Sequence, residues 1–120
     1  IDRVKLANAI EKACAKHHKR IGGFVQVNLT QEDSKGGADP QDLAQLVQHI
    51  QTHCTHIELK GLMYMPPKGA DVEPLFQEAN NLNKQLGFKE LSMGMSSDYE
   101  TAIKNGATYV RIGTAIFGQR

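Results

Sequence analysis

Several things are missing from these 120 residues, and each absence removes a class of function. No apolar stretch approaches the roughly 18 residues that a membrane helix needs, so no partnership with a membrane is expected. No long basic run is present, and 14 Lys+Arg against 13 Asp+Glu leave a formal charge of +1. A nearly neutral chain of this kind is a poor electrostatic match for nucleic acid. Cysteine is limited to Cys14 and Cys54, with no C-x-x-C pairing. That reads as two reduced thiols in a cytoplasmic protein rather than a disulfide framework. Low-complexity segments, a domain linker and a signal-peptide pattern are all absent. The chain starts at Ile1-Asp2 rather than at a methionine, so a processed product or a fragment is expected.

What is present is ordinary globular material: 40% hydrophobic and 22% charged, in a length that suits a single region over 1–120. Val4, Ala7, Ile10 and Cys14 recur at helical spacing, with Asp2 as a candidate N-cap and Gly22-Gly23 as the stop. Phe24–Asn28 is a β-prone run. Asp39-Pro40 opens a second helix, whose buried stripe is Leu43, Leu46, Val47 and Ile50. Ile57–Met65 is the second strand, ended by Pro66-Pro67. Asp71 starts a third helix with Val72, Leu75, Phe76, Ala79, Leu82 and Leu86 on one face, closed by Gly87. Glu90–Met95 is the third strand. Ser97 and Glu100 have capping-box spacing for a short helix through Asn105, and Gly106 closes it. Tyr109–Gly113 is the last strand, followed by a helical turn over Ala115–Gly118. Strands alternating with amphipathic helices imply right-handed crossovers and a parallel sheet, either a small doubly wound sheet or part of a barrel.

In either architecture ligands bind beyond the C-terminal ends of the strands. Gly61-Leu62-Met63, Ser92–Ser97 and Arg111–Thr114 occupy those positions. The last two suit a phosphate cradle. Gly113 lets backbone N–H groups approach an anion, and Thr114, Ser96 and Ser97 add hydroxyls near helix starts. The same residues also serve as plain caps and turns in ligand-free βα units. Arg111, between Val110 and Ile112, is costly to bury alone, so it should face a barrel mouth or meet a carboxylate. Other patterns fail. Gly113–Gly118 has Walker-A glycine spacing, but Gln119-Arg120 replace the Lys-Ser/Thr pair. His49 and His53 lie one turn apart near Cys54 and His56, which could hold zinc, yet no H-E-x-x-H pattern is present and a solvated helix end is the favoured reading. Met63, Met65, Met93 and Met95 read by default as core filling. No Ser-His-Asp order and no strand-end carboxylate pair points to a hydrolase.

Ile1–Ala7, Val27-Asn28, Gly61-Leu62-Met63, Leu91–Ser96 and Val110–Gly118 together resemble the pyridoxal 5′-phosphate (PLP) homeostasis proteins, the YggS/PROSC family, which are similar to the N-terminal domain of alanine racemase. The resemblance runs along the whole chain. It implies the C-terminal half of a (β/α)8 TIM barrel holding PLP at its strand C-termini. By carry-over, Ser96, Gly113 and Thr114 bind the phosphate, Arg111 faces the pyridine nitrogen, and Met63 with Met93 or Met95 packs near the ring. The family's Schiff-base lysine is on the first barrel strand. None of Lys5, Lys35, Lys60 or Lys104 matches its motif, so that lysine lies outside this chain. A complete barrel takes about 250 residues, twice this length.

The function implied is PLP binding and intracellular PLP homeostasis: carriage and delivery to PLP-dependent apo-enzymes without robust catalysis and with no metal. Two alternatives stay open, a PLP-dependent enzyme of alanine racemase type and a half-barrel that binds phosphate-bearing ligands. A half-barrel has open edges and an uncovered inner face, so it is expected to pair with its missing half or with another copy.

Overall fold

The computed structural model describes residues 1–30 and 36–111. Helices and strands alternate as α1 (Val4–Lys16), β1 (Ile21–Val27), α2 (Pro40–His53), β2 (Ile57–Tyr64), α3 (Val72–Gln85), β3 (Glu90–Met95), α4 (Tyr99–Lys104) and β4 (Tyr109–Arg111). The strands form one sheet in the order β1-β2-β3-β4, and every neighbouring pair is parallel. A doubly wound sheet reverses its strand order at a switch point, whereas a barrel keeps chain order. The observed order therefore resolves the ambiguity left by periodicity in favour of the barrel.

The two faces of the sheet are chemically distinct. Val25, Val27, Leu62, Tyr64, Leu91 and Met93 are all at most 2% exposed and join one cluster with Ala7, Leu43, Ile50, Phe76, Ala79 and Ala102 from the four helices. Burial of each large side chain in such a cluster contributes about 1.5–3 kcal/mol. On the other face, Gln26 pairs with Met63, Met63 with Ser92, and Ser92 with Tyr109. Phe24 and Tyr109 meet edge to face there, with ring centroids 5.2 Å apart. In a flat sheet, β1 and β4 would be three spacings, roughly 14 Å, apart. Contact between their rings requires a strongly curved sheet with this face on the inside, as in a barrel segment.

Two irregularities shape the sheet. The β1–β2 register jumps between Gly23 and Phe24, leaving Lys60 as an extra residue in β2. Gly61 is thereby turned against β3. Asn83 of α3, 2% exposed, fills the gap this creates. Leu62 N–H donates to Asn83 Oδ1 (2.9 Å), and Asn83 Nδ2 donates to Glu90 O (2.8 Å). In β3 the register jumps between Ser92 and Met95. Gly94 (φ 105°) takes the turn, and a Cβ there would lie 2.7 Å from the Ala102 Cβ. This bulge returns Met95 to the concave face beside Arg111 and leaves Met93 on the helix side.

Helix ends account for the differences from the sequence reading. α1 stops at Lys16, not at Gly22-Gly23, which belong to β1. His18 takes the left-handed position (φ 54°), with His18 N–H to Ala15 O (3.2 Å) and Lys19 N–H to Cys14 O (2.9 Å) completing a Schellman end. Gly87 and Gly106 end α3 and α4 in the same way, as the sequence predicts. Asp2 does not cap α1; its Oδ2 accepts from Gly37 N–H (3.0 Å), and Arg3 holds the N-cap position. Ser97 does not cap α4; Asp98 is the N-cap residue.

The seam between α1 and α2 is polar. His49 Nε2 lies 2.7 Å from Asn8 Oδ1, and the buried Cys54 thiol points at Ala7 O (3.8 Å). The Glu11 carboxylate accepts from both His56 N–H (2.7 Å) and His56 Nδ1 (2.6 Å), tying α1 to the start of β2. Burial pushes the Glu11 carboxyl up, but the hydrogen bonds and charge of His56 outweigh it and hold its pKa below the ordinary 4.5. A carboxyl with a depressed folded pKa stabilises the fold above its unfolded pKa, and that contribution disappears as pH falls through the folded value. Urea midpoints should therefore drop below pH 4.5 more steeply for the parent chain than for Glu11→Gln; parallel curves would contradict the clamp.

Candidate functional site

The C-terminal ends of β2, β3 and β4 lie along one rim of the sheet. Between the first two is a hollow of about 470 Å³ lined by Met65, Pro66, Pro67, Lys68, Met95, Ser97 and Asp98, among others. Pro66 and Pro67 cannot donate to a ladder, so the chain must leave the sheet there and pass along the rim. The β3 end is closed by a tight turn in which Asp98 N–H donates to Met95 O (3.1 Å) and Met95 N–H donates to Asp98 Oδ1 (2.8 Å). This turn presents Ser96, half-buried, and Ser97, exposed, at its tip. It also occupies one oxygen of the rim's acid.

Arg111 is the register partner of Met95 and is exposed. The structure therefore places the guanidinium-bearing residue, Met95 and the Ser96-Ser97 turn at adjoining strand ends. Met63 is half-buried and shares the concave face one residue pair deeper, opposite Ser92. Met93 requires a correction as a ring-packing candidate. It pairs with Tyr64, is fully buried, and packs in the helix-side core. Met95, which the resemblance gave as the alternative, is on the open face and 43% exposed. Gly113 and Thr114 lie outside the described residues.

Lys68 was not singled out from the sequence, because a lone lysine after two prolines carries no spacing signal. Among the described residues it is the cation of the hollow between β2 and β3. Hydroxyls, a guanidinium and an ammonium along one rim are donors suited to an anion, with apolar surface from Met63, Met95 and Tyr109 on the concave face. A second hollow of about 470 Å³, at the end of β1, is lined by Asp2, Asp39 and Asp42 with Arg3 as its cation; three carboxylates disfavour an anion there. Tyr64, at the end of β2, points away from the rim. Burial, then the Glu78 carboxylate, pushes its phenol up to about 12, and its hydroxyl has no hydrogen-bond partner among the described residues.

Four parallel strands in chain order, alternating with four helices, form part of a (β/α)8 barrel. The family described as alanine racemase, N-terminal domain, matches residues 1–120, and the chain belongs to that family. It is 37% identical over 129 residues to the pyridoxal phosphate homeostasis protein of Aquifex aeolicus, covering 100% of this chain and 56% of that one. It is 40% identical over 134 residues to the protein of the same name in Bos taurus, covering 100% and 49%. Among solved structures, PipY of Synechococcus elongatus with PLP bound superposes with a TM-score of 0.87 at 32% identity, covering 98% of this chain and 58% of that one. The chain thus spans about half the length of the curated relatives it matches. No helix among the described residues is long and apolar enough to cross a membrane.

Proposed function

We propose that this chain binds PLP at the C-terminal ends of β3 and β4 and serves PLP homeostasis in the cytoplasm, carrying the cofactor for apo-enzymes rather than turning over a substrate. The observation that carries the reading is the pairing of Met95 with Arg111 beside Ser96, produced by the β3 bulge, in a chain similar to PipY, whose structure holds PLP. In this proposal Ser96, Gly113 and Thr114 hold the phosphate, Arg111 faces the ring nitrogen, and Met63 and Met95 flank the ring. When bound, PLP supplies an aldehyde conjugated to an electron-withdrawing ring. A fixed guanidinium beside the ring nitrogen disfavours a second positive charge there and keeps it unprotonated. Arg111 thereby weakens the ring as an electron sink, which suits carriage better than catalysis. The anchoring lysine implied by the resemblance is not among this chain's lysines, so its own hold on PLP is non-covalent.

Arg111→Ala should weaken PLP retention by about 10-fold or more, the loss of one charge-assisted contact, and Thr114→Val by roughly 3- to 10-fold. Equilibrium dialysis checks both; unchanged affinity in the two variants removes the site assignment. Racemisation of alanine would favour the enzymatic alternative.

The same proposal gives the concave face and the outer edge of β1 a partner: further strands of the barrel or a second copy. Ile1 already donates its N–H to Phe24 O (3.0 Å) and accepts from Gln26 N–H (2.8 Å), the parallel-ladder pattern on that edge. The chain alone should self-associate in sedimentation; a monodisperse, cooperatively unfolding monomer would contradict this.

A further inference from the structure

We propose that His49 and His53 form a two-histidine site for a late first-row divalent metal ion on the outer face of α2, away from the strand-end rim. The residues are one helical turn apart, and their ring centroids are 5.1 Å apart with a 44° tilt. Two imidazoles bound side by side to one ion, at about 2.0–2.1 Å per metal–nitrogen bond, place their ring centres roughly 4.5–5.2 Å apart. The observed separation lies within that range.

Three further features favour the site. Asn8 Oδ1 accepts from His49 Nε2 at 2.7 Å, which leaves the lone pair on Nδ1. A ring held through its second nitrogen is the usual outer-shell arrangement of a metal-binding histidine. His53 is the last residue of α2, where the helix dipole is negative and a cation is stabilised. A shallow hollow of about 250 Å³ over the pair is lined by Gln45, Gln48 and Thr52, polar groups that suit the waters completing the coordination. Cys54 does not join in; it is 1% exposed, and its Sγ points to Ala7 O and Asn8 Oδ1. Among the described residues no cluster of three or more His, Cys, Asp or Glu could hold a metal. The site is consequently a two-ligand, exchangeable one, with copper(II) held more tightly than zinc(II).

Copper(II) titrated into the chain at neutral pH, followed by calorimetry and by electron paramagnetic resonance, should show a saturable site with coupling to two imidazole nitrogens. His49→Ala and His53→Ala should each weaken copper binding by roughly 10-fold or more, and Asn8→Ala by a smaller factor, with circular dichroism unchanged. His17→Ala/His18→Ala, at the far end of α1, should leave this site intact. Copper affinity unchanged in both His49→Ala and His53→Ala, or lost only in His17→Ala/His18→Ala, overturns the proposal.

Discussion

Gly61→Ala should be the most damaging single methyl addition in the described part of the chain. A Cβ on Gly61 would lie 1.7 Å from Glu90 O, 2.7 Å from Glu90 C and 3.2 Å from Asn83 Oδ1. The first two are backbone atoms of the neighbouring strand, so no rotamer change relieves the clash. β2 and β3 would have to separate, breaking the ladder that positions the β3 end. Overpacking a core with one methylene usually costs about 1–3 kcal/mol, and here a strand must move, so a loss of about 4 kcal/mol or more is expected. A domain of this size has roughly 6–18 kcal/mol in total. The chemical-denaturation midpoint should fall sharply or the variant should fail to fold. A loss below about 1 kcal/mol would show that β2 and β3 are not packed as described.

Asn83→Leu should come second. It keeps the number and branching of the side-chain heavy atoms but leaves the buried Leu62 N–H and the partly buried Glu90 C=O without their partner. Each such group costs about 1–3 kcal/mol, so the variant should lose about 2–6 kcal/mol. Asn83→Asp gives a sharper test of the geometry. An ionised carboxylate can accept from Leu62 N–H but cannot donate to Glu90 O, so it should destabilise near neutral pH. Burial and the facing carbonyl raise the folded pKa of this introduced acid. Stability should then recover as pH falls through that raised value, because the protonated acid regains a donor. A loss independent of pH would contradict the bridging role. Gly61→Ala and Asn83→Leu act on the same Glu90 carbonyl, so their costs should not add.

Much of this fold is legible in the sequence because it depends on short-range signals. Period-3.6 apolar stripes mark the helices, Asp39-Pro40 marks the start of α2, and Gly87 and Gly106 mark the ends of α3 and α4. What fails is set by tertiary contact. His18 ends α1 in a backbone conformation usually left to glycine or asparagine, so the nearby Gly22-Gly23 pair is a false stop and is in fact strand. Asp2 and Ser97 look like caps, but Asp2 is drawn to Gly37 and Asp98 takes the turn before α4. Leu91 and Met93 alternate onto the helix side, but the bulge at Gly94 returns Met95 to the concave face, which strict alternation cannot foresee. Asn83 carries one faint signal: a polar residue four positions after Ala79, on an otherwise apolar stripe. The rim residues Ser96 and Arg111 are identified by resemblance, and the structure brings their strand ends together. Sequence spacing alone leaves Ser96 divided between site and turn, and Arg111 between a barrel mouth and a carboxylate partner.

The most direct test of the central claim is a PLP titration of this chain, followed by cofactor absorbance and equilibrium dialysis with inorganic phosphate as competitor. Saturable binding that phosphate displaces, that Arg111→Ala weakens by about 10-fold, and that borohydride does not make covalent is the expected result. No saturable binding, or binding indifferent to both phosphate and Arg111, would contradict a PLP site at the ends of β3 and β4.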